Sequence, residues 1–183
     1  MDKIVFITGA SSGIGAGCAR KFASQGASLI LNARNVNKLS ALKEELEKQY
    51  GAKIYLLPFD VRDRKAATSA LESLPKEWQS IDILVNNAGL VIGTDKEQEG
   101  SLDEWDIVID TNIKALLAMT RLIVPGMVER KRGHIINIGS IAGDAAYPGG
   151  SVYCATKAAV KALSDGLRID CLLYTSPSPR DCS

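Results

Sequence analysis

One stretch constrains this chain more than any other. The glycine-rich turn Thr8-Gly9-Ala10-Ser11-Ser12-Gly13-Ile14-Gly15 lies between an apolar, β-branched run (residues 4–8) and a helical pattern (residues 13–25). Its Gly-x3-Gly-x-Gly spacing removes the side chain wherever a strand-to-helix turn is crowded. Gly9 permits the tight turn, Gly13 lets backbone approach a pyrophosphate, and Gly15 lets the helix pack closely on the strand. A helix beginning here presents free N–H groups and a positive dipole end to an anion. In isolation such a triplet is a structural turn. At the head of a strand–helix–strand unit it signals dinucleotide binding, with Gly9, Ser11, Ser12, Gly13, Ile14 and Gly15 as candidate cofactor contacts.

The rest of the chain repeats the alternation. Apolar runs at residues 28–32, 53–57, 81–86 and 134–138 read as strands. Helical patterns occupy 36–49, 64–73, 102–130 and 151–169. Gly51 stands as a C-terminal stop for the second helix, and Pro125-Gly126 predicts a break in the long one. Continuous apolar strands separated by helices call for a parallel sheet covered on both faces. The expected fold is therefore α/β, a single-domain doubly wound parallel sheet of the Rossmann type. The 183 residues suffice for a real core.

In such a sheet the ligand sits at the carboxyl ends of the strands. The second strand ends in Asn32-Ala33-Arg34-Asn35, without the acid that usually bonds an NAD ribose. Arg34, with Asn35 beside it, could instead pair a 2′-phosphate, which favours NADP; the plainer reading of Arg34 is a solvated surface cation. Asp60-Val61 follows the third strand and Asn86-Asn87-Ala88-Gly89 the fourth. Asp60 could accept from an adenine amino group, and Asn87, Ala88 and Gly89 could admit the cofactor to the backbone. Each could equally be a loop or a cap.

Tyr153 and Lys157 lie four positions apart on the last helix, hence on one face. Ser140 ends the fifth strand, and Asn112 falls within the long helix. Carbonyl reduction needs a proton donor at oxygen while hydride reaches carbon. A free phenol, with a pKa of roughly 10, exchanges protons poorly near neutrality, and a neighbouring ammonium favours its ionised form. Ser140 can hold the substrate oxygen, and Asn112 can hold a water linking Lys157 to solvent. Taken singly, each has a plainer reading as a solvated face or a satisfied helix bend. Together, at the strand ends of one sheet behind a glycine loop, they form a catalytic set. Tyr153 and Lys157 also count as cofactor contacts.

The motifs Thr8-Gly9-x3-Gly13-Ile14-Gly15, Asn86-Asn87-Ala88-Gly89, Asn112, Ser140 and Tyr153-x3-Lys157 resemble those of the short-chain dehydrogenase/reductase family in order and spacing. The resemblance implies Tyr153 as acid/base, Lys157 as its partner and ribose anchor, Ser140 as substrate-oxygen ligand and Asn112 as support for a proton relay. Segments 74–78, 125–130 and 133–140 are similar to the branch of NADP-dependent 3-hydroxy acid dehydrogenases, which act on serine, allo-threonine and related 3-hydroxy acids or the matching 3-oxo acids. That branch implies a homo-tetramer paired through the long helix and the catalytic helix. Alternatives stay open: a ketoacyl, steroid or sugar-alcohol reductase of the same family, or a non-catalytic NADP-binding regulator. A nucleotide-sugar epimerase would carry Gly-x2-Gly-x2-Gly instead.

The resemblance covers residues 1–170, read as the NADP-binding domain. From Cys171 the sequence turns Ser/Pro-rich and resembles a translated library adaptor, so 171–183 is expected to be a non-native tail. The sixth and seventh strands of the family are not in the sequence. The expectation is a poorly stable, nearly inactive chain with an unpaired edge at strand five.

Balanced charge, with 22 basic and 21 acidic residues, gives no case for nucleic acid or an anionic membrane. No apolar run reaches the roughly 18 residues of a membrane span and no signal peptide is apparent, so a cytoplasmic location is expected. Cys18, Cys154, Cys171 and Cys182 fit neither a metal site nor a disulfide framework, and His134 stands alone, so no metal is expected.

Overall fold

A computed structural model describes residues 3–93 and 95–172. Five strands form one parallel sheet: β1 (Ile4–Ile7), β2 (Ser28–Leu31), β3 (Ile54–Leu56), β4 (Ile81–Asn86) and β5 (His134–Asn137), in the order β3-β2-β1-β4-β5. Ile7 pairs with Leu31 on one side and Val85 on the other, so β1 is the centre from which the chain winds both ways. That reversal opens a crevice beyond the carboxyl ends of β1 and β4. This is the doubly wound α/β sheet that the alternating pattern implied.

Helices cover both faces. On one, α1 (Gly13–Ala23) and α2 (Val36–Tyr50) cover Val5, Ile7, Leu29, Leu31 and Val85 with Ala19, Leu39 and Leu46. On the other, α3 (Arg64–Glu72) and α5 (Ala115–Glu129) cover Phe6, Ile30 and Leu84 with Ala67, Met119, Ile123 and Met127. Alternate residues of β1 thus enter opposite cores, as the period of two demands. Each fully buried side chain of this size stabilises by about 1.5–3 kcal/mol.

Local chemistry sets the helix ends. Asn35 caps α2 by accepting from Lys38 N at 3.0 Å, and Asp63 caps α3 by accepting from Ala66 N at 3.0 Å. Gly51 ends α2 in the left-handed conformation, φ 62°, with its N–H on the Glu47 carbonyl.

The long helix differs from expectation. It breaks not at Pro125 but earlier, where α4 (Leu102–Ile109) passes through a π-helical turn (Asp110–Lys114) into α5. Helix α5 runs through Pro125 to Glu129. The proline deprives only the Arg121 carbonyl of its partner, and both residues lie on the exposed face, where water can serve. Ile123 and Met127, both buried, hold the helix on the sheet on either side of Pro125.

After β5 comes a short 3-10 turn (Ile141–Gly143), then α6 (Ser151–Leu172). Helix α6 therefore takes in Cys171 and Leu172, the first residues read as tail from sequence; residues 173–183 lie outside the described residues. Among the described residues, β5 forms one edge of the sheet and no helix is long and apolar enough to cross a membrane.

Candidate active site

The crevice at the carboxyl ends of the strands is a cleft of 780 Å³, the size of a cofactor site. Its walls include Gly9, Ser11, Ser12, Gly13, Ile14, Arg34, Asn35, Asp60, Val61, Asn87, Ala88, Gly89, Tyr153 and Lys157. Three of the sequence-derived candidates, Gly15, Asn112 and Ser140, do not line it.

The glycine loop owes its shape to Asn87 and Thr8. The Asn87 side-chain amide donates to the carbonyls of Thr8 and Gly9 at 2.9 and 3.1 Å. The Thr8 hydroxyl accepts from the backbone N–H groups of Asn87 and Ala88 at 3.0 and 2.9 Å. Asn87 therefore holds the loop with its side chain and borders the cleft with its backbone. A Cβ on Gly15 would collide with the Gly9 carbonyl oxygen and with this amide. Gly13 is the opposite case, at φ 53° with no atom of the described residues within 4 Å of where a Cβ would stand. Ser12 begins α1 without a side-chain cap, so the helix's first N–H groups face the cleft unclaimed. Open space over Gly13 and uncapped amides fit a phosphate-bearing ligand.

The far wall carries charge. Asn32, just after β2, is buried, and its amide donates to the Leu57 and Phe59 carbonyls at 3.0 and 3.1 Å. Arg34 projects from the next turn with its side chain 66% exposed. Asp60 is gripped by Arg62, whose Nε and Nη2 reach the carboxylate at 3.0 and 2.6 Å, while the Arg62 backbone N–H donates to Oδ1 at 3.0 Å. Arg34 Nη1 comes only to 3.9 Å of Oδ2. The Arg62 hydrogen bonds hold the Asp60 carboxyl below the usual carboxylate range; burial opposes this, and Arg34 adds the smallest share. Arg62 also lines the cleft. The sequence reading passed over it, although an arginine two residues after an acid was visible and only its orientation was not.

At the other end, Tyr153 and Lys157 lie on α6 as their spacing required. Lys157 Nζ stands 5.8 Å from the centroid of the Tyr153 ring and donates to the Ile138 carbonyl at 2.8 Å. Its side chain is buried, and that burial pulls its pKa below the ordinary lysine value. Ile138 and Gly139 line the cleft just before Ser140, whose hydroxyl accepts from Ala142 N at 3.2 Å and caps the 3-10 turn. Gly143 in that turn packs on the α6 backbone, where a Cβ would stand 2.8 Å from the Lys157 carbonyl carbon. The serine segment and the lysine are thereby fixed to each other.

The Asn112 side chain bonds to the segment after β4 and to α6. Its Oδ1 accepts from Leu90 N at 2.9 Å, and its Nδ2 donates to the Leu90 carbonyl at 2.9 Å and to Thr156 Oγ1 at 3.0 Å. Both amide hydrogens are committed, and with the Oδ1 bond they tie the segment after β4 to α6. The π turn carries Asn112 to this position, and buried Thr156 completes the tie by donating to the Tyr153 carbonyl at 2.7 Å. Nothing in the sequence marked Thr156, because its partner lies 44 positions away.

A doubly wound sheet with a glycine loop at its switch point and a tyrosine–lysine pair across the cleft defines a class of dinucleotide-binding proteins. The chain belongs to the short chain dehydrogenase family, whose sequence profile matches residues 3–174. It is 50% identical over 167 residues to the NADP-dependent 3-hydroxy acid dehydrogenase YdfG of Escherichia coli strain K12, covering 91% of this chain and 66% of that protein. The chain thus spans 66% of the length of the curated relative. The crystal structure of serine dehydrogenase from Escherichia coli superposes with a TM-score of 0.86 at 50% identity, over 91% of this chain and 76% of that one. The closed form of a serine dehydrogenase complexed with NADP+ gives 0.85 at 48% identity, over 91% of this chain and 66% of that one.

Proposed function

We propose that the protein is an NADP-dependent oxidoreductase acting on CH–OH groups, interconverting a 3-hydroxy acid and its 3-oxo acid. The observation that carries this reading is the buried Lys157 amino group, 5.8 Å from the Tyr153 ring, on the wall of the cleft that begins at the glycine loop. The names of the similar proteins, an NADP-dependent 3-hydroxy acid dehydrogenase and a serine dehydrogenase, supply the substrate class. Exposed Arg34 and the lack of an acid in the stretch Asn32-Ala33-Arg34-Asn35 favour the 2′-phosphorylated cofactor.

The cofactor, when bound, supplies or accepts the hydride. The first N–H groups of α1, with Ser11, Ser12 and Ile14 of the loop, hold its phosphates, and Gly13 leaves room for them. Arg34 and Asn35 take the 2′-phosphate end, Asp60 and Val61 the adenine, and Ala88 and Gly89 the backbone side of the ribose. Tyr153 gives its phenolic proton to the carbonyl oxygen in reduction and takes it back in oxidation. Lys157 fixes the nicotinamide ribose and faces the phenol ring. Ser140 turns its hydroxyl to the substrate oxygen. Asn112 supports the proton path by holding the Leu90 segment against α6.

Residues 1–170 form the NADP-binding unit in this reading, working as a homo-tetramer in the cytoplasm. Leu117 and Leu122, apolar and exposed on α5, suit the helix face through which copies would pair.

The decisive assay follows NADP+ reduction with serine or allo-threonine and NADPH oxidation with malonic semialdehyde, in this chain and in a form extended by the family's sixth and seventh strands, which is expected to carry the full activity. Tyr153→Phe is expected to keep NADPH binding and to lose at least about 10³-fold in kcat, the range for losing a positioned proton donor. Retained turnover in that variant would defeat the assignment.

A further inference from the structure

We propose that Arg62 determines cofactor preference without touching the cofactor: it occupies the Asp60 carboxylate and so leaves Arg34 free for a 2′-phosphate. The inference rests on the NADP reading above. A lone carboxylate on the wall of a cleft meant for a polyanion is a liability twice over. It repels the ligand, and it competes for the cation meant to bind it.

The observed geometry resolves both problems. Arg62 presents Nε and Nη2 along the Asp60 carboxylate, with contacts of 3.0 Å to Oδ1 and 2.6 Å to Oδ2, in the two-pronged arrangement that guanidinium favours. Its own backbone N–H adds a third bond to Oδ1 at 3.0 Å, closing a local ring that fixes the carboxylate's direction. Arg34, on the opposite side, is left 3.9 Å from Oδ2 with two-thirds of its side chain in solvent. Asp110 is also near enough to favour the charged form of Arg62, and Lys114 balances Asp110 at 2.7 Å. Arg62 therefore stands between two acids, while among the described residues Arg34 meets an acid only at 3.9 Å.

Without Arg62, the nearest cation to a part-buried Asp60 is Arg34. A swing of about one ångström would make the close pair, and Arg34 would be withdrawn from the 2′-phosphate. The loss should fall on NADPH and spare NADH, which has no phosphate there. Removing the Asp60 charge as well should undo it.

The experiment titrates NADPH and NADH, by cofactor fluorescence, into the protein and its Arg62→Met, Asp60→Asn and Arg62→Met/Asp60→Asn variants. Arg62→Met is expected to weaken NADPH by about tenfold and NADH by less than about twofold, the scale of one charge-assisted contact. The double variant should recover the NADPH-to-NADH affinity ratio of Asp60→Asn. In an Arg34→Met background, Arg62→Met should not alter the ratio further. If Arg62→Met does not fold, Arg62→Lys keeps the charge but loses the two-pronged grip, and its ratio should fall in the same direction. Equal weakening of both cofactors, or a double variant as poor for NADPH as Arg62→Met, would overturn the proposal; so would an unaltered ratio in the folded variant. An unsubstituted protein that binds NADH as tightly as NADPH would instead overturn the cofactor reading itself, and this inference with it.

Discussion

Asn112 and Thr156 meet at 3.0 Å, and through that bond the π turn between α4 and α5 holds the helix that carries Tyr153. Both residues are buried, so neither polar group has water as a substitute. Thr156→Val removes the hydroxyl while nearly keeping the shape. It leaves one Asn112 N–H unpaired, which costs about 1–3 kcal/mol. The variant should unfold at correspondingly lower denaturant and lose about tenfold in kcat, because the Tyr153 backbone loses its tether. Thr156→Ser keeps the hydroxyl and should lose far less of both. Equal stability of the valine and serine variants in urea titrations would refute the tie.

Gly13 and Gly15 sit two residues apart in one loop, yet their replacement by alanine should fail in different ways. At Gly15 the new methyl meets the Gly9 carbonyl and the Asn87 amide, neither of which can move without breaking the loop. Overpacking of this kind costs about 1–3 kcal/mol, so Gly15→Ala should lower the melting temperature measured without cofactor. At Gly13 the methyl meets no atom of the described residues, and only the left-handed φ of 53° is penalised, by about 1–2 kcal/mol. That methyl would occupy the space assigned to the pyrophosphate. Gly13→Ala should therefore show its main loss in the NADPH dissociation constant, and normal binding by that variant would contradict the assigned position of the phosphates.

The contrast between these glycines shows what the sequence could and could not reveal. The alternation of apolar runs and helices, the Gly51 stop and the spacing of Tyr153 and Lys157 are local, and each strand lies within a residue or so of where its pattern put it. The crevice follows from topology once the strands are parallel. What escaped depends on partners distant in sequence or on orientation. The Asn112 amide is spent on Leu90 and Thr156, Asn87 braces the loop with its side chain, and Arg62 turns back onto Asp60. Pro125 misled for the related reason that packing by Ile123 and Met127 outweighs one lost hydrogen bond at an exposed face.

At the opposite end of the sheet from the cleft, Asp82 is 4% exposed, accepts from Ile4 N at 3.0 Å and pairs with Arg132 at 2.6 Å. It fastens the start of β1 to the start of β4. Asp82→Ala should cost about 2 kcal/mol, less than a fully buried pair because Arg132 reaches water. NADPH affinity should be unchanged, since the site lies past the other end of both strands. A variant that lost affinity at full stability would show that the two ends of the sheet are coupled.

Lys157 makes a prediction about pH. Burial lowers its folded-state pKa, whereas in the unfolded chain it titrates near the ordinary value of about 10.4. Between those two values the unfolded state binds more protons than the folded one. Stability contributed by this side chain therefore rises with pH across that window and is fully present only above the unfolded value. Below the folded pKa both states carry the charge, and the folded state bears the cost of burying it. Lys157→Met lacks this dependence, so the stability of the unsubstituted protein relative to the variant should improve steadily as pH is raised toward 10. The check is a series of urea denaturations of both proteins without cofactor, compared at each pH so that the other titrating groups largely cancel. A difference that stays flat, or that falls with pH, would mean that the amino group is not desolvated in the free protein. Its place on the cleft wall would then be solvated until a ligand arrives.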